Sequence, residues 1–83
     1  MSSYFYIATT AADGALTIGA TPDISSFAAE PGISKIVYVE IFADEGEAAD
    51  RVASVSALDH FQQVEMIERF NKDWADLSYR FAS

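Results

Sequence analysis

Two short apolar runs decide the fold of this chain: Tyr4-Phe5-Tyr6-Ile7 and Leu16-Thr17-Ile18-Gly19, with Asp13-Gly14 at the tip of the linker between them. Asp-Gly between two β-prone runs is a strong hairpin signal, because glycine tolerates a positive φ without a Cβ clash. The pattern therefore predicts a strand over residues 4–9, a turn near 11–14 and a strand over 15–20. Thr21 as N-cap and Pro22 at the first helical position predict a short helix from about 22 to 30, ended by Glu30-Pro31-Gly32.

The third predicted strand, residues 35–42, is rich in β-branched and aromatic residues. Strict alternation would place Val37, Val39 and Ile41 on one face of it. Residues 36, 38, 40 and 42 would then share the other face. Because both faces are largely apolar, the pattern is typical of a central strand.

The second half of the chain is predicted to be helical. Asp44-x-x-Glu47 has the form of a capping box and opens a helix to about residue 57. Asp59-x-x-Gln62 opens another over residues 60–70. The expected inner residues of the first helix are Ala48, Ala49, Val52 and Val55, and those of the second are Phe61, Val64, Ile67 and Phe70.

The resulting fold class is α/β in the broad sense (α+β), with the order ββαβαα and a small three-stranded antiparallel sheet flanked by helices. A chain of 83 residues has room for one core, so we expect a single domain over 1–83. The chain has no cysteine, which excludes disulfides, thiolate nucleophiles and Cys-based zinc sites. No run approaches the ~18 apolar residues of a membrane span, so a cytoplasmic protein without a membrane partner is expected.

The net charge of the chain indicates which classes of partner are expected. Five Lys and Arg residues stand against thirteen Asp and Glu residues, a formal net charge of −8. Because nucleic-acid affinity rests mainly on cations that contact phosphates, a nucleic-acid partner is not expected. A protein partner or self-association is expected instead. His60 is the only histidine in the sequence, and it is expected to lie on the surface. The acidic run 44–50 lacks the alternating Asp and Asn ligands of a calcium-binding loop, and its acidic residues are those favoured at the start of a helix.

The hairpin motifs, Tyr-x-Tyr-Ile followed by Thr-Ile-Gly and then a helix, resemble the GIY-YIG nuclease superfamily, especially its small stand-alone domains of the UvrC/URI type. The resemblance continues through residues 36–44 and through residues 65–77, which contain Asn71-x-x-Trp74-x-x-Leu77. It implies a three-stranded antiparallel sheet flanked by helices. It also implies descent from metal-dependent endonucleases.

The resemblance implies a site residue by residue. The family positions fall on Tyr6, Thr17, Gly19, Phe27, Pro31, Val52 and Asn71. The first tyrosine, the glycine and the asparagine of the family are kept. Thr17 replaces its second tyrosine, and threonine is a poor proton shuttle because it lacks the acidity and reach of a phenol.

Three further family groups are replaced. Phe27 stands where the family has an arginine that stabilises phosphoryl charge, and Pro31 stands where it often has a histidine. Val52 stands at the metal-binding glutamate and offers no oxygen ligand. No catalytic residue, metal ligand or cofactor is therefore expected.

The favoured hypothesis is a catalytically inactive GIY-YIG-like domain that serves as a binding or regulatory module. A first alternative is a structure-specific DNA endonuclease that needs Mg²⁺ and uses relocated groups: Tyr4 or Tyr6, a carboxylate from 44–57, and Arg51 or Arg69. A second alternative is an acidic mimic of nucleic acid that occupies a basic partner's site. Its binding would weaken steeply with salt.

Overall fold

The computed structural model describes residues 2–10, 15–29 and 32–80. In chain order the elements are β1 (Ser3–Thr10), β2 (Leu16–Thr21), α1 (Ile24–Ala28), β3 (Ile33–Phe42), α2 (Glu45–Ser56), α3 (His60–Phe70) and a 3₁₀ turn (Ser78–Arg80). The three strands form one antiparallel sheet in the order β2-β1-β3. The central strand is therefore β1, and the prediction of a central position for β3 was wrong, because its apolar faces are covered by the helices and the C-terminal segment rather than by a second neighbouring strand. The predicted fold class and element order are confirmed, and the predicted turn at 11–14 lies outside the described residues.

The start of α1 differs from the prediction. Thr21 is the last residue of β2, where it pairs with Tyr4, and Asp23 is the N-cap. The Asp23 carboxylate accepts hydrogen bonds from the Ser26 backbone N–H at 3.1 Å and from the Ser26 hydroxyl at 2.8 Å. These bonds lower the pKa of Asp23. The prediction of Thr21 as cap was wrong because strand pairing holds it in the sheet, and the predicted stop at Glu30-Pro31 lies outside the described residues.

Two hydrophobic clusters lie on opposite faces of the sheet. The α2 face carries the larger cluster, in which Phe5 and Ile7 of β1 pack with Val55 of α2 and Ile67 of α3. The α1 face carries a smaller cluster made by Tyr6, Ala8, Ile24 and Ile36, with Tyr4, Phe27 and Val39 packed against it. The central strand β1 therefore contributes alternate residues to both clusters.

A register shift in the β1–β3 pairing changes the predicted faces of β3. Ile7 pairs with Tyr38, whereas the next residue, Ala8, pairs with Ile36, so that Val37 is the extra residue of a β-bulge. As a result Val37 joins Tyr38 in the α2-face cluster, and Ile36 joins the α1-face cluster. The strict alternation predicted for residues 36 and 37 was wrong because the bulge inserts one residue between the two faces.

Both later helices begin at the predicted caps. The Asp44 carboxylate accepts from the N–H groups of Gly46 and Glu47, and Asp59 with Gln62 forms a complete capping box. In α2, Ala48 and Val55 are buried and Val52 packs against the cluster, but Ala49 is exposed, contrary to the prediction. In the described part of the chain, no helix is long and apolar enough to cross a membrane.

The predicted inner stripe of α3 is only partly correct. Ile67 is fully buried, but Phe61 is 74% exposed and Phe70 is 53% exposed. The physical reason is the helical period: at ~100° per residue, a spacing of three drifts by about 60° per step, so Phe61 and Phe70 end on opposite sides. Met66 packs against the cluster, and Phe70 keeps a contact with the Tyr38 ring at 4.8 Å between centroids.

The C-terminal segment, residues 71–80, lies along β3. The N–H of Leu77 donates to the carbonyl of Ile36 at 2.8 Å, and the N–H of Ile36 donates to the Asp76 carboxylate at 3.1 Å. Lys35 donates to the carbonyl of Trp74 at 3.0 Å. Trp74, which has a φ of 55°, packs against the α2-face cluster, and Leu77 is buried. The segment therefore continues the hydrogen bonding of the sheet beyond β3.

Candidate functional site

The most closely packed of the sequence-predicted site residues lie on the α1 face, where Tyr6 is paired across the hairpin with Gly19. A Cβ built on Gly19 would lie 2.5 Å from the Tyr6 hydroxyl oxygen and 2.9 Å from Cζ. The Tyr6 ring therefore lies against the glycine backbone. The Phe27 ring of α1 also contacts Tyr6, with 4.0 Å between ring centroids and an interplanar angle of 31°. The tyrosine therefore packs against both a glycine that leaves room for it and an aromatic ring from α1.

The surroundings of Tyr6 suppress its acid–base chemistry. It is 9% exposed, and its cluster contains Ala8, Ile24 and Ile36. This burial raises the pKa of the Tyr6 phenol above its ordinary value. A raised pKa keeps the hydroxyl protonated near neutral pH, so that Tyr6 is not poised to act as a base.

Thr17 also lies on the α1 face, because it pairs directly with Ala8 and opposite residues share a face. The structure therefore brings Tyr6, Thr17, Gly19 and Phe27 to one surface of the hairpin. This group combines aromatic rings, a hydroxyl and a glycine. It contains no carboxylate and no cation.

The remaining predicted positions lie elsewhere. Val52 packs against the cluster on the α2 face, on the other side of the sheet from Tyr6. The Asn71 amide nitrogen donates to the carbonyls of Val37 at 3.1 Å and Ala75 at 2.8 Å, and its oxygen accepts from the Ala75 N–H at 3.0 Å. Asn71 thus joins the C-terminal segment to the sheet. Pro31 lies outside the described residues.

A polar network on the α2 face was not anticipated from the sequence. The Tyr38 hydroxyl donates to Glu40 at 2.8 Å, and Arg51 of α2 binds the same carboxylate through Nε at 2.8 Å and through a second nitrogen at 3.3 Å. The Arg51 guanidinium also lies 5.9 Å from the centre of the Phe5 ring. A signal was present, because the spacing Tyr38-x-Glu40 puts both side chains on one strand face.

Tyr38, Glu40 and Arg51 each have a hydrogen-bonding partner within this network. Burial, followed by the hydrogen bond to Glu40, raises the pKa of the Tyr38 phenol. The hydrogen bond to Glu40 raises the pKa of the Arg51 guanidinium. Because each group already has a partner, the network joins β3 to α2.

The groups named for a relocated nuclease site are also dispersed. Arg51 is engaged with Glu40 on the α2 face, whereas Tyr6 lies on the α1 face. Arg69 forms an exposed ion pair with Glu65 at 3.5 Å. Among residues 2–10, 15–29 and 32–80, no group of three or more carboxylate or imidazole side chains is gathered closely enough to hold a metal ion.

Four acidic side chains are exposed at the start of α2: its N-cap Asp44, and Glu45, Glu47 and Asp50 in the first two turns. Acidic residues at this end of a helix interact favourably with its dipole, which accounts for their position. His60 is exposed at the start of α3, as predicted.

Comparison of the chain with protein-family models, with curated proteins and with solved structures finds no match.

Proposed function

We propose that this protein is a GIY-YIG-like domain without nuclease activity that works as a protein-binding module. The observation that carries the proposal is the packing of Tyr6 against Gly19 and Phe27. This aromatic stack takes up the surface on which the family resemblance would put a phosphodiester. Phe27 stands there in place of a cation, and an apolar ring cannot stabilise the charge of a phosphoryl transition state.

The distribution of the family positions supports the absence of nuclease activity, although it does not support the resemblance itself, which would bring these positions into one site. Val52 lies across the sheet from Tyr6, so even a carboxylate at that position would act on the other face. Thr17, Phe27 and Val52 together replace a proton shuttle, a cation and a metal ligand. Each such group typically contributes ~10²–10⁴ in rate, so losing all of them leaves no useful cleavage.

A role in binding protein follows from charge. A surface with a formal net charge of −8 repels nucleic acid, whereas it tolerates protein partners. The side chains of Ile41, Phe61 and Phe70 are more than half exposed, which adds apolar contact area outside the two clusters.

A cleavage and binding experiment tests the proposal. Purified protein is incubated with plasmid and branched DNA in Mg²⁺ and in Mn²⁺, and binding of labelled DNA is followed by anisotropy at low salt. We expect neither cleavage nor binding. Cleavage that copurifies with the wild type and disappears in Arg51→Ala, while Arg69→Ala retains it, would overturn the proposal in favour of a relocated nuclease site.

A further inference from the structure

We propose that residues 75–80 (the exchange segment) can leave their own sheet and take the same place in a second copy of the chain, so that two chains form a closed, domain-swapped dimer. The inference goes beyond the proposed function, because it depends only on how the C-terminal segment is attached to the rest of the chain. It rests on three observations: a strained hinge, a docking place that already fits the segment, and a zero net charge on the part that is exchanged.

The hinge before the exchange segment is short and strained. Lys72 and Asp73 are exposed, and the turn is so tight that the Trp74 N–H donates to the carbonyl of Asn71 at 3.1 Å. Trp74 has a φ of 55°, and among the described residues it is the one residue other than glycine with a positive φ. This conformation costs free energy in a bulky residue, because Cβ lies too close to the following carbonyl oxygen. Short hinges under strain favour the exchange of a segment between copies.

The docking place of the exchange segment is specified by hydrogen bonds to the rest of the chain. The N–H of Leu77 donates to the carbonyl of Ile36 at 2.8 Å, and the N–H of Ile36 donates to the Asp76 carboxylate at 3.1 Å. Asn71, which precedes the hinge, donates to the carbonyl of Ala75 at 2.8 Å and accepts from its N–H at 3.0 Å. These bonds fix the position of the segment along β3.

Apolar contacts anchor the same segment. Leu77 is 7% exposed, and the 3₁₀ turn that follows it contacts α1. In an exchanged dimer, each of these contacts and hydrogen bonds is made again with the segment of the other copy, and only the hinge changes its conformation. The free energy of detaching the segment is therefore regained, and the strain at two hinges is relieved.

This complementarity identifies the occupant as a second copy. The docking place offers a buried position for Leu77, a backbone donor for Asp76 and a side-chain amide for Ala75. Every copy of the chain carries these three residues in the same order. An exchanged segment thus fits as well as the original one does.

Charge does not oppose the exchanged contacts, although each chain has a formal net charge of −8. The exchange segment contains one acidic residue, Asp76, and one basic residue, Arg80, so its own formal net charge is zero. Repulsion between the two chain bodies acts at longer range and is screened by salt, with a Debye length of ~8 Å at physiological ionic strength. The dimer should therefore become tighter as the salt concentration is raised.

Sedimentation equilibrium with two matched variants tests the role of the hinge. The protein is first incubated in mild urea, which opens segments of low local stability, and is then returned to buffer. We expect the wild type to reach twice its 9.0 kDa mass as concentration rises. Trp74→Gly and Trp74→Ala both remove the indole and differ only in the Cβ that is strained at a φ of 55°. Because glycine relaxes the closed hinge, Trp74→Gly should have a dimer dissociation constant at least about tenfold higher than that of Trp74→Ala.

Spin labels show whether the dimer is an exchanged one, because the chain has no cysteine of its own. Arg69 and Ala75 are both exposed, and Ala75 is bonded to Asn71, two residues after Arg69. Chains labelled at Arg69→Cys are mixed with chains labelled at Ala75→Cys. In an exchanged dimer, the distance between labels on the two chains should equal the distance within one monomeric chain that carries both labels.

Three results would contradict the proposal. The first is a wild type that stays monomeric at millimolar concentration after the urea step. The second is an equal dissociation constant for Trp74→Gly and Trp74→Ala, and the third is a dimer in which the interchain label distance differs from the intrachain one. Each of these can occur with or without DNA cleavage, so the exchange and the proposed absence of nuclease activity fail separately.

Discussion

Replacement of Gly19 by alanine tests the packing on the α1 face. The new Cβ would lie 2.5 Å from the Tyr6 hydroxyl oxygen and 2.9 Å from Cζ, so the ring would have to retreat by roughly 1 Å to reach ordinary contact distance. The Phe27 ring centroid lies only 4.0 Å from that of Tyr6, so any shift of the Tyr6 ring disturbs this contact as well. Overpacking of this kind costs about 1–3 kcal/mol, partly offset by the ~0.5–1 kcal/mol that alanine gains over glycine in a strand. We therefore expect a loss of about 1–2 kcal/mol in the free energy of unfolding.

Urea unfolding followed by the fluorescence of Trp74, the one tryptophan, measures this loss. Gly32→Ala is the matched control, because a Cβ there meets nothing within 4 Å and should cost little. In a Tyr6→Phe background, which removes the nearest atom, the penalty of Gly19→Ala should fall by about 1 kcal/mol. The reasoning is refuted when Gly19→Ala is as stable as Gly32→Ala, or when its penalty is the same with and without the Tyr6 hydroxyl.

Further predictions concern pH and the C-terminal segment. Burial raises the pKa of both Tyr6 and Tyr38 in the folded state. Their contribution to stability is therefore complete below the pKa of tyrosine in the unfolded chain, about 10, and is lost as pH rises through the pKa in the folded state. Free energies of unfolding measured across this alkaline range check the sign. Asp76→Ala removes the acceptor of two backbone N–H groups, those of Ile36 and Ser78, and should lower the free energy of unfolding by about 1–2 kcal/mol. Amide hydrogen exchange in the first part of β3 should become faster, and unchanged exchange there would contradict the role given to Asp76. Asn71→Ala should lower the free energy of unfolding by about 2 kcal/mol, because three hydrogen bonds are lost. Phe61→Ser, at a side chain that is 74% exposed, should change it by no more than about 0.5 kcal/mol. Equal effects of the two substitutions in thermal unfolding would contradict this expectation.

Signals that lie within a few residues of each other were enough to predict the order of the elements and the caps of the later helices. Asp59 and Gln62 form the predicted capping box because its two halves are only three residues apart. The start of α1 was misjudged because Thr21 is held in β2 by its pairing with Tyr4, which local sequence does not reveal.

Features that depend on contacts distant in sequence were not predictable in the same way. The bulge at Val37 arises in the pairing of β3 with β1, and Asn71 contacts this point from 34 residues away. The same limit applies to the candidate site. Sequence placed Tyr6 and Val52 in one family pattern, but the faces they occupy are decided by how α2 packs on the sheet.

The pKa of Asp76 illustrates how such long-range contacts act. Burial alone would raise it, but hydrogen bonds from Ser78 and Ile36, together with the charge of Lys35, lower it below its ordinary value. Its contribution to stability is therefore present above the unfolded pKa and is lost as pH falls through the folded one. The attachment of the C-terminal segment should accordingly weaken in acid.

The position of that segment limits how the protein can assemble. The hydrogen bonds it makes to β3 among the described residues fall at positions 35–37, so part of one border of the sheet is already covered by the chain itself. A sheet open on both borders can add molecules without end, as fibrils do. Because that border of the sheet is partly occupied by the chain itself, a further molecule could add a strand there only at residues that the segment leaves uncovered.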